Sequence, residues 1–192
     1  MLSEKFVRKY LRLAKLFGEE SNPCYSRNIG AIVVDTKINK IVATGYNGPP
    51  RQTPHCDSAE HLLNIVWPQL TDVDKSFISK DIATEEQFVA KFSGCKTCPR
   101  KLIGAESGKR LELCSCAHAE VNCIVNASQN LFGCTMFCWC PLPCIECTKI
   151  IINAGIKEVH CFKEPQDYSI GSRYLFGKAG VNILEYNKED FN

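Results

Sequence analysis

Four residues in two short strings, His118 and Glu120 in CAHAEV (116–121) and Cys144 and Cys147 in PCIEC (143–147), limit what this chain can fold into more than any other feature. Two cysteines three apart at the start of a helix place both sulfurs on one face of its first turn, and Pro143 suits that start. The positive end of the helix dipole favours thiolates there. His118 also stands at the head of an expected helix, followed by a strand that leads to Pro143, so two helix N-termini on neighbouring crossovers can converge. One imidazole and two thiolates give a tetrahedral zinc three protein ligands and leave its fourth position to water, as in a catalytic centre. Glu120 would close that site if it ligated, so its better role is proton carrier for the water. The alternatives are a closed structural zinc with a fourth cysteine such as Cys116, or a redox-active C-x-x-C. The joint pattern H-x-E followed by P-C-x-x-C is far more specific than either.

The rest of the chain supplies a scaffold of the required kind. Ser3 precedes an apolar stripe at Phe6, Val7, Tyr10, Leu11, Ala14 and Phe17, and Gly18 offers a stop, so residues 4–17 read as an amphipathic helix. Residues 29–35 and 40–46 are β-rich runs joined by a short polar turn, a hairpin that the GYNGPP segment (45–50) ends. From residue 118 the pattern alternates: helix 119–130, strand 134–140, helix 144–153, strand 158–163, helix 171–178, strand 181–186. That rhythm predicts an α/β layered domain with at least three parallel strands. Residues 57–116 do not follow it and read as a Cys-rich insertion before the helix that carries His118 and Glu120. The 192 residues, 45% of them hydrophobic, fit one elaborated domain.

A formal charge of +2 implies no basic face large enough to grip a duplex, though a local cluster can hold one phosphate. The first twenty residues interleave charges with apolar positions, and no later run reaches membrane-spanning length, so a cytoplasmic protein without membrane or nucleic-acid partners is expected. In such a setting the 13 cysteines point to metal ligands, catalytic thiolates or small buried hydrophobes, not to disulfides.

Residues 24–50 (CYSRNIGAIVVDTKINKIVATGYNGPP), 54–57 (PHCD), 98–124 and 143–162 resemble deoxycytidylate deaminase, the phage and bacterial branch of the zinc-dependent cytidine deaminase superfamily. The resemblance covers most of the chain. Residues 61–94 have no match, and CWCPLPC (138–144) is one residue longer than the usual approach to the zinc cysteines. The resemblance implies a three-layer α/β fold with a mixed five-stranded sheet flanked by helices. It also implies a reaction: water activated at zinc attacks C4 of the cytosine, with Glu120 carrying protons to N3 and to the departing ammonia, so that dCMP becomes dUMP for thymidylate synthesis. It assigns Asn47 to the sugar, the alternative being a left-handed turn residue before Gly48. Arg27 and Ser26 are candidates for the 5′-phosphate, against solvated surface side chains, and Tyr168 for the base, against core packing. Control by end products follows from the same resemblance: activation by dCTP and inhibition by dTTP, each with Mg2+, acting through Tyr46, Asn47 and Gly48. A homo-oligomer is expected, the hexamer being common in the family, and the host cytoplasm is the location of a phage-encoded chain.

Cys24, Cys56, Cys98 and Cys114 coincide with cysteines that in those relatives form a second, closed zinc site, and four thiolates satisfy a tetrahedral ion. A local ribbon of Cys95, Cys98, Cys114 and Cys116 is the alternative, and His55 can stand in for one ligand. Cys123, Cys134, Cys138, Cys140 and Cys161 fall in element interiors and are given no chemistry, as are His61 and His160. Two other functions compete: deamination of another base (dCTP, cytidine, or adenosine in tRNA), and a non-catalytic zinc-binding module, which leaves Glu120 without a purpose.

Overall fold

A computed structural model of the chain describes residues 2–79, 81–163 and 169–191. The chain divides into two compact units, one of residues 1–22, 28–47 and 118–192, the other of residues 23–27 and 48–117. In chain order the helices are α1 (Glu4–Glu20), α2 (Ala59–His61), α3 (Asp72–Ile78), α4 (Glu85–Phe92), α5 (Pro99–Leu102), α6 (Ala119–Val125), α7 (Ile145–Asn153) and α8 (Ile170–Ala179). The strands are β1 (Gly30–Asp35), β2 (Lys40–Tyr46), β3 (Thr135–Pro141), β4 (Glu158–Phe162) and β5 (Asn182–Tyr186). No helix among the described residues is long and apolar enough to cross a membrane.

In the first unit the five strands form one sheet in the order β2-β1-β3-β4-β5. β1 runs antiparallel to both β2 and β3, whereas β3, β4 and β5 are parallel and connected through helices, as the alternating sequence requires. The middle strands are buried on both faces, which is why β1 and β3 read as unbroken apolar runs. One face packs Ile32, Val34, Phe137, Trp139 and Phe162 against Val7, Tyr10, Leu11 and Ala14 of α1. The opposite face packs Ala31, Val33, Met136, Cys138 and Val159 against Ala119 and Cys123 of α6, Cys147 and Ile151 of α7, and Phe176 of α8. The result is helix, sheet, helix: three layers.

Two helix ends depart from expectation. The Ser3 hydroxyl accepts the Phe6 amide at 3.3 Å and starts α1 as expected, but Gly18 does not stop it. The helix runs on to Glu20, and Gly18 serves instead as a close approach, since a Cβ there would lie 2.7 Å from the Gly30 amide nitrogen of β1. α6 ends at Val125 and does not reach residue 130. The stretch that follows, NASQN, is rich in side chains that compete for backbone hydrogen bonds, and the Ala127 amide already turns back to Ile124.

The second unit has its own apolar core of Leu62, Val66, Leu70, Phe88, Ile103 and Leu113, with Trp67 packed against it. These side chains come from several short segments, Phe88 from α4 among them, and reciprocal capping starts two of the unit's short helices: Thr71 with Asp74 on α3, Thr84 with Gln87 on α4. Arg110, in the left-handed conformation, ties the pieces together through Asp74, Glu112 and the Gln69 carbonyl.

Candidate active site

His118 is the N-cap of α6 and Cys144 the N-cap of α7, so α7 begins at Ile145, one position later than the sequence places it. Both helices lie on the same face of the sheet, joined through β3, so their first turns meet. His118 Nδ1 stands 3.5 Å from Cys144 Sγ and 3.3 Å from Cys147 Sγ, and the three ligand atoms all lie within 4.8 Å of one another. A tetrahedral zinc with ordinary Zn–N and Zn–S bonds needs N···S separations of about 3.6 Å, so this donor set fits the ion with almost no movement. The two thiols share a proton. The Cys144 thiol is pulled down to about 4 by the hydrogen bond from Cys147, with His118 assisting against the effect of burial. Cys147, which supplies that proton, is pushed up.

Glu120 follows in the first turn of α6 and is only 4% exposed. Burial pushes its carboxyl above the ordinary range, opposed by its own backbone amide and by His118. A carboxyl group that burial raises in this way holds its proton more readily than an exposed glutamate does and is suited to proton transfer. Its Oε1 faces the Cys140 thiol of β3 at 3.8 Å. The cysteine had no assigned chemistry in the sequence, because nothing in a strand interior marks one thiol among many.

The strand β2 sets the height of α6. Gly45 lies beneath the helix so closely that a Cβ would sit 2.2 Å from the Cys123 nitrogen and 2.4 Å from the Ala119 carbonyl oxygen. The next two residues bind the same helix. The Tyr46 carbonyl accepts from Asn122 Nδ2 at 2.8 Å, and Asn47 Oδ1 accepts from the Ala119 amide at 2.8 Å, while the Asn47 amide donates to the Ile29 carbonyl. Asn47 is buried and is not left-handed; the left-handed non-glycine residues among those described are Asn39, Gln52, Lys96 and Arg110.

The remaining candidates belong to the second unit, except Tyr168, which lies outside the described residues. Arg27 Nη2 donates to Ser107 Oγ, Ser26 precedes it in the same loop, and Gly48 exchanges backbone hydrogen bonds with Ala117. Cys24, Cys56 and Cys114 gather around Cys116: contact with the Cys116 thiol draws Cys24 down to about 5 and Cys114 to about 6, and Cys116 itself is pushed up. Cys98 is buried beside Cys114 and Cys56, and burial pushes its thiol up. Cys95 is exposed. His55 bridges the Asp57 carboxylate and the Pro23 carbonyl, at 2.8 and 2.7 Å, and so clamps the loop that carries Cys24.

Residues 4–163 match the family model described as the cytidine and deoxycytidylate deaminase zinc-binding region. The chain belongs to this deaminase family. Among curated relatives, the deoxycytidylate deaminase of Schizosaccharomyces pombe is 26% identical over 178 residues, which is 92% of this chain and 42% of that protein. The deoxycytidylate deaminase of Enterobacteria phage T4 is 28% identical over 189 residues, covering 95% of this chain and 90% of the phage protein. This deaminase-family chain thus spans less than half the length of the yeast relatives it matches. Its fold is that of the dCMP deaminase of cyanophage S-TIM5, solved in complex with dCMP and dUMP: TM-score 0.59, 23% identity, 97% of this chain and 100% of that one covered. The mixed sheet flanked by helices is thereby the family's own architecture.

Proposed function

We propose that this chain is a zinc-dependent hydrolase that converts dCMP to dUMP and ammonia. The observation that carries the reading is the trio His118, Cys144 and Cys147 at zinc-ligand spacing with the buried Glu120 beside it. When bound, zinc supplies a Lewis acid that makes water nucleophilic near neutral pH. His118 Nδ1 and the two thiolates would hold the ion. Glu120 takes a proton from the attacking water, passes it to N3 of the cytosine, and delivers a second to the amino group as the C4–N bond breaks. Oxygen from water ends on C4 and nitrogen leaves as ammonia, so the atoms balance. Asn47, its carboxamide oxygen committed to the Ala119 amide, has its Nδ2 donor to offer to the sugar. Arg27 and Ser26 for the 5′-phosphate and Tyr168 for the base rest on the resemblance alone.

Activation by dCTP and inhibition by dTTP with Mg2+ are part of the same proposal. What supports it is the pair of bonds from Tyr46 and Asn47 to α6, the helix that bears Glu120, so that a ligand that moves 46–48 has a path to the proton carrier. A second zinc held by Cys24, Cys56, Cys98 and Cys114, with Cys116 now among the available thiols, and a homo-oligomeric state, a hexamer in the family's usual form, complete it, as does a cytoplasmic location. The test is ammonia release from dCMP, dCTP, cytidine and an RNA hairpin, with dCMP saturation repeated with dCTP and dTTP. Turnover of dCMP above the others, with a sigmoidal curve made hyperbolic by dCTP, supports the reading; no ammonia from any of the four overturns it.

A further inference from the structure

The Glu120 carboxylate has one side-chain donor among the described residues, and it is a thiol. Cys140, near the carboxyl end of β3, lies 3.8 Å through Sγ from Glu120 Oε1, within reach of a sulfur hydrogen bond. Both groups are buried, at 7% and 4% exposure, so no bulk water competes for the carboxylate from that side. Cys138, on the same face of β3 two residues earlier, packs behind Cys140 and is kept protonated by that contact and by burial. Cys161 of the neighbouring strand β4 is buried beside them and has no hydrogen bond to Glu120. A proton carrier must present one oxygen to the reacting atoms in a fixed direction, and besides the Glu120 backbone amide the Cys140 thiol is the group placed to hold this carboxylate.

We propose that Cys140 is a positioning residue: its S–H fixes Oε1 of Glu120 and so aims Oε2 at the reactants. The proposal deepens the deaminase reading above and rests on it for the kinetic part of its test. Thiols are weak donors, so the effect is on orientation, not on binding. Cys140→Ala is expected to lower kcat for dCMP about tenfold while KM, zinc per chain and the overall fold stay as in the parent. Cys140→Ser, which keeps a donor, restores most of the loss. Cys161→Ala, which empties a similar buried volume without touching Glu120, changes kcat less than about twofold. Crystal structures of the zinc-loaded parent and Cys140→Ala add a readout without turnover: Glu120 in one rotamer in the parent, and in a different or split rotamer in the variant. An unchanged Glu120 rotamer together with unchanged kcat in Cys140→Ala refutes the proposal, as does an equal loss in Cys161→Ala. If the parent releases no ammonia, the functional reading fails, and the Glu120 rotamer still decides whether Cys140 holds it.

Discussion

Adding a single methyl group at Gly45 tests whether β2 sets the position of the catalytic helix. The Cβ of Gly45→Ala would lie 2.2 Å from the Cys123 nitrogen, 2.4 Å from the Ala119 carbonyl oxygen and 2.6 Å from the Cys123 Cα, all of them backbone atoms that cannot rotate away. Ordinary contact begins near 3.4 Å, so α6 has to lift from β2 by about 1.2 Å. The displaced segment carries Glu120 and begins at His118, so the proposed proton carrier and one proposed zinc ligand move relative to Cys144 and Cys147 on α7. Misplacement of a reacting group by about 1 Å costs roughly 100-fold in rate, so kcat for dCMP is expected to fall between about 10- and 100-fold at saturating zinc. Overpacking of this kind costs about 1–3 kcal/mol, and each kcal/mol lowers the melting midpoint of a chain this size by about 2–4 °C. Steady-state deamination followed by ammonia release, paired with a thermal melt, reads both. A Gly45→Ala protein with kcat within twofold of the parent and an unmoved melting point would refute the reasoning, because it would mean that α6 and β2 are not locked at that distance.

Glu120→Gln is expected to retain its zinc by elemental analysis while turnover drops by about 100- to 10,000-fold, the usual contribution of a positioned proton carrier. Elemental analysis of the parent should give two zinc ions per chain, falling to one in both Cys147→Ser and Cys114→Ser; only Cys147→Ser should abolish activity outright. Asn47→Ala leaves the buried Ala119 amide without its acceptor and should cost about 1–3 kcal/mol of stability by denaturant unfolding, besides raising KM. Burial raises the Asp74 carboxyl, but the Thr71 amide and hydroxyl and the Arg110 guanidinium outweigh it and hold the group below its ordinary value. The folded state therefore binds that proton less readily than the unfolded chain. The stabilisation is complete at neutral pH and disappears as the pH falls from the ordinary carboxylate range through the lower folded value, so Asp74→Asn should flatten the acid limb of a stability-against-pH curve.

What the sequence reveals and what it hides divide along the range of the interactions involved. The strands and crossover helices of the first unit are legible because each leaves a local pattern, unbroken apolar runs in β1 and β3 and periodic apolar faces on the helices. His118, Cys144 and Cys147 are legible because the joint spacing of H-x-E and P-C-x-x-C, which uses one of only four histidines, has few other chemical uses. Gly18 misleads because a glycine that ends a helix and one that lets a helix lie on a strand look alike until the partner, Gly30, is known. Cys140 is silent for the same reason: its partner Glu120 is twenty positions away and reaches it only through the seating of α6 against β3. The second unit shows no rhythm because its core is collected from short pieces, one or two side chains at a time.

The pairing of β1 with β3 joins Ala31 to Cys138 across the whole of residues 48–117. Contacts that span so much chain form late, since the loop must close before any of the bonds can repay it. β3 is also the strand that carries α6 and α7 to their meeting point, so the His118, Cys144 and Cys147 donors exist as a set only after that slow event. In a refolding experiment with cobalt(II) in place of zinc, the tetrahedral thiolate absorption band should grow with the slowest phase of the chain and not with its burst of helix formation. The ion would then act as a clock for the closure of the sheet, and a variant that delays β3 would be visible by its colour before any substrate is added.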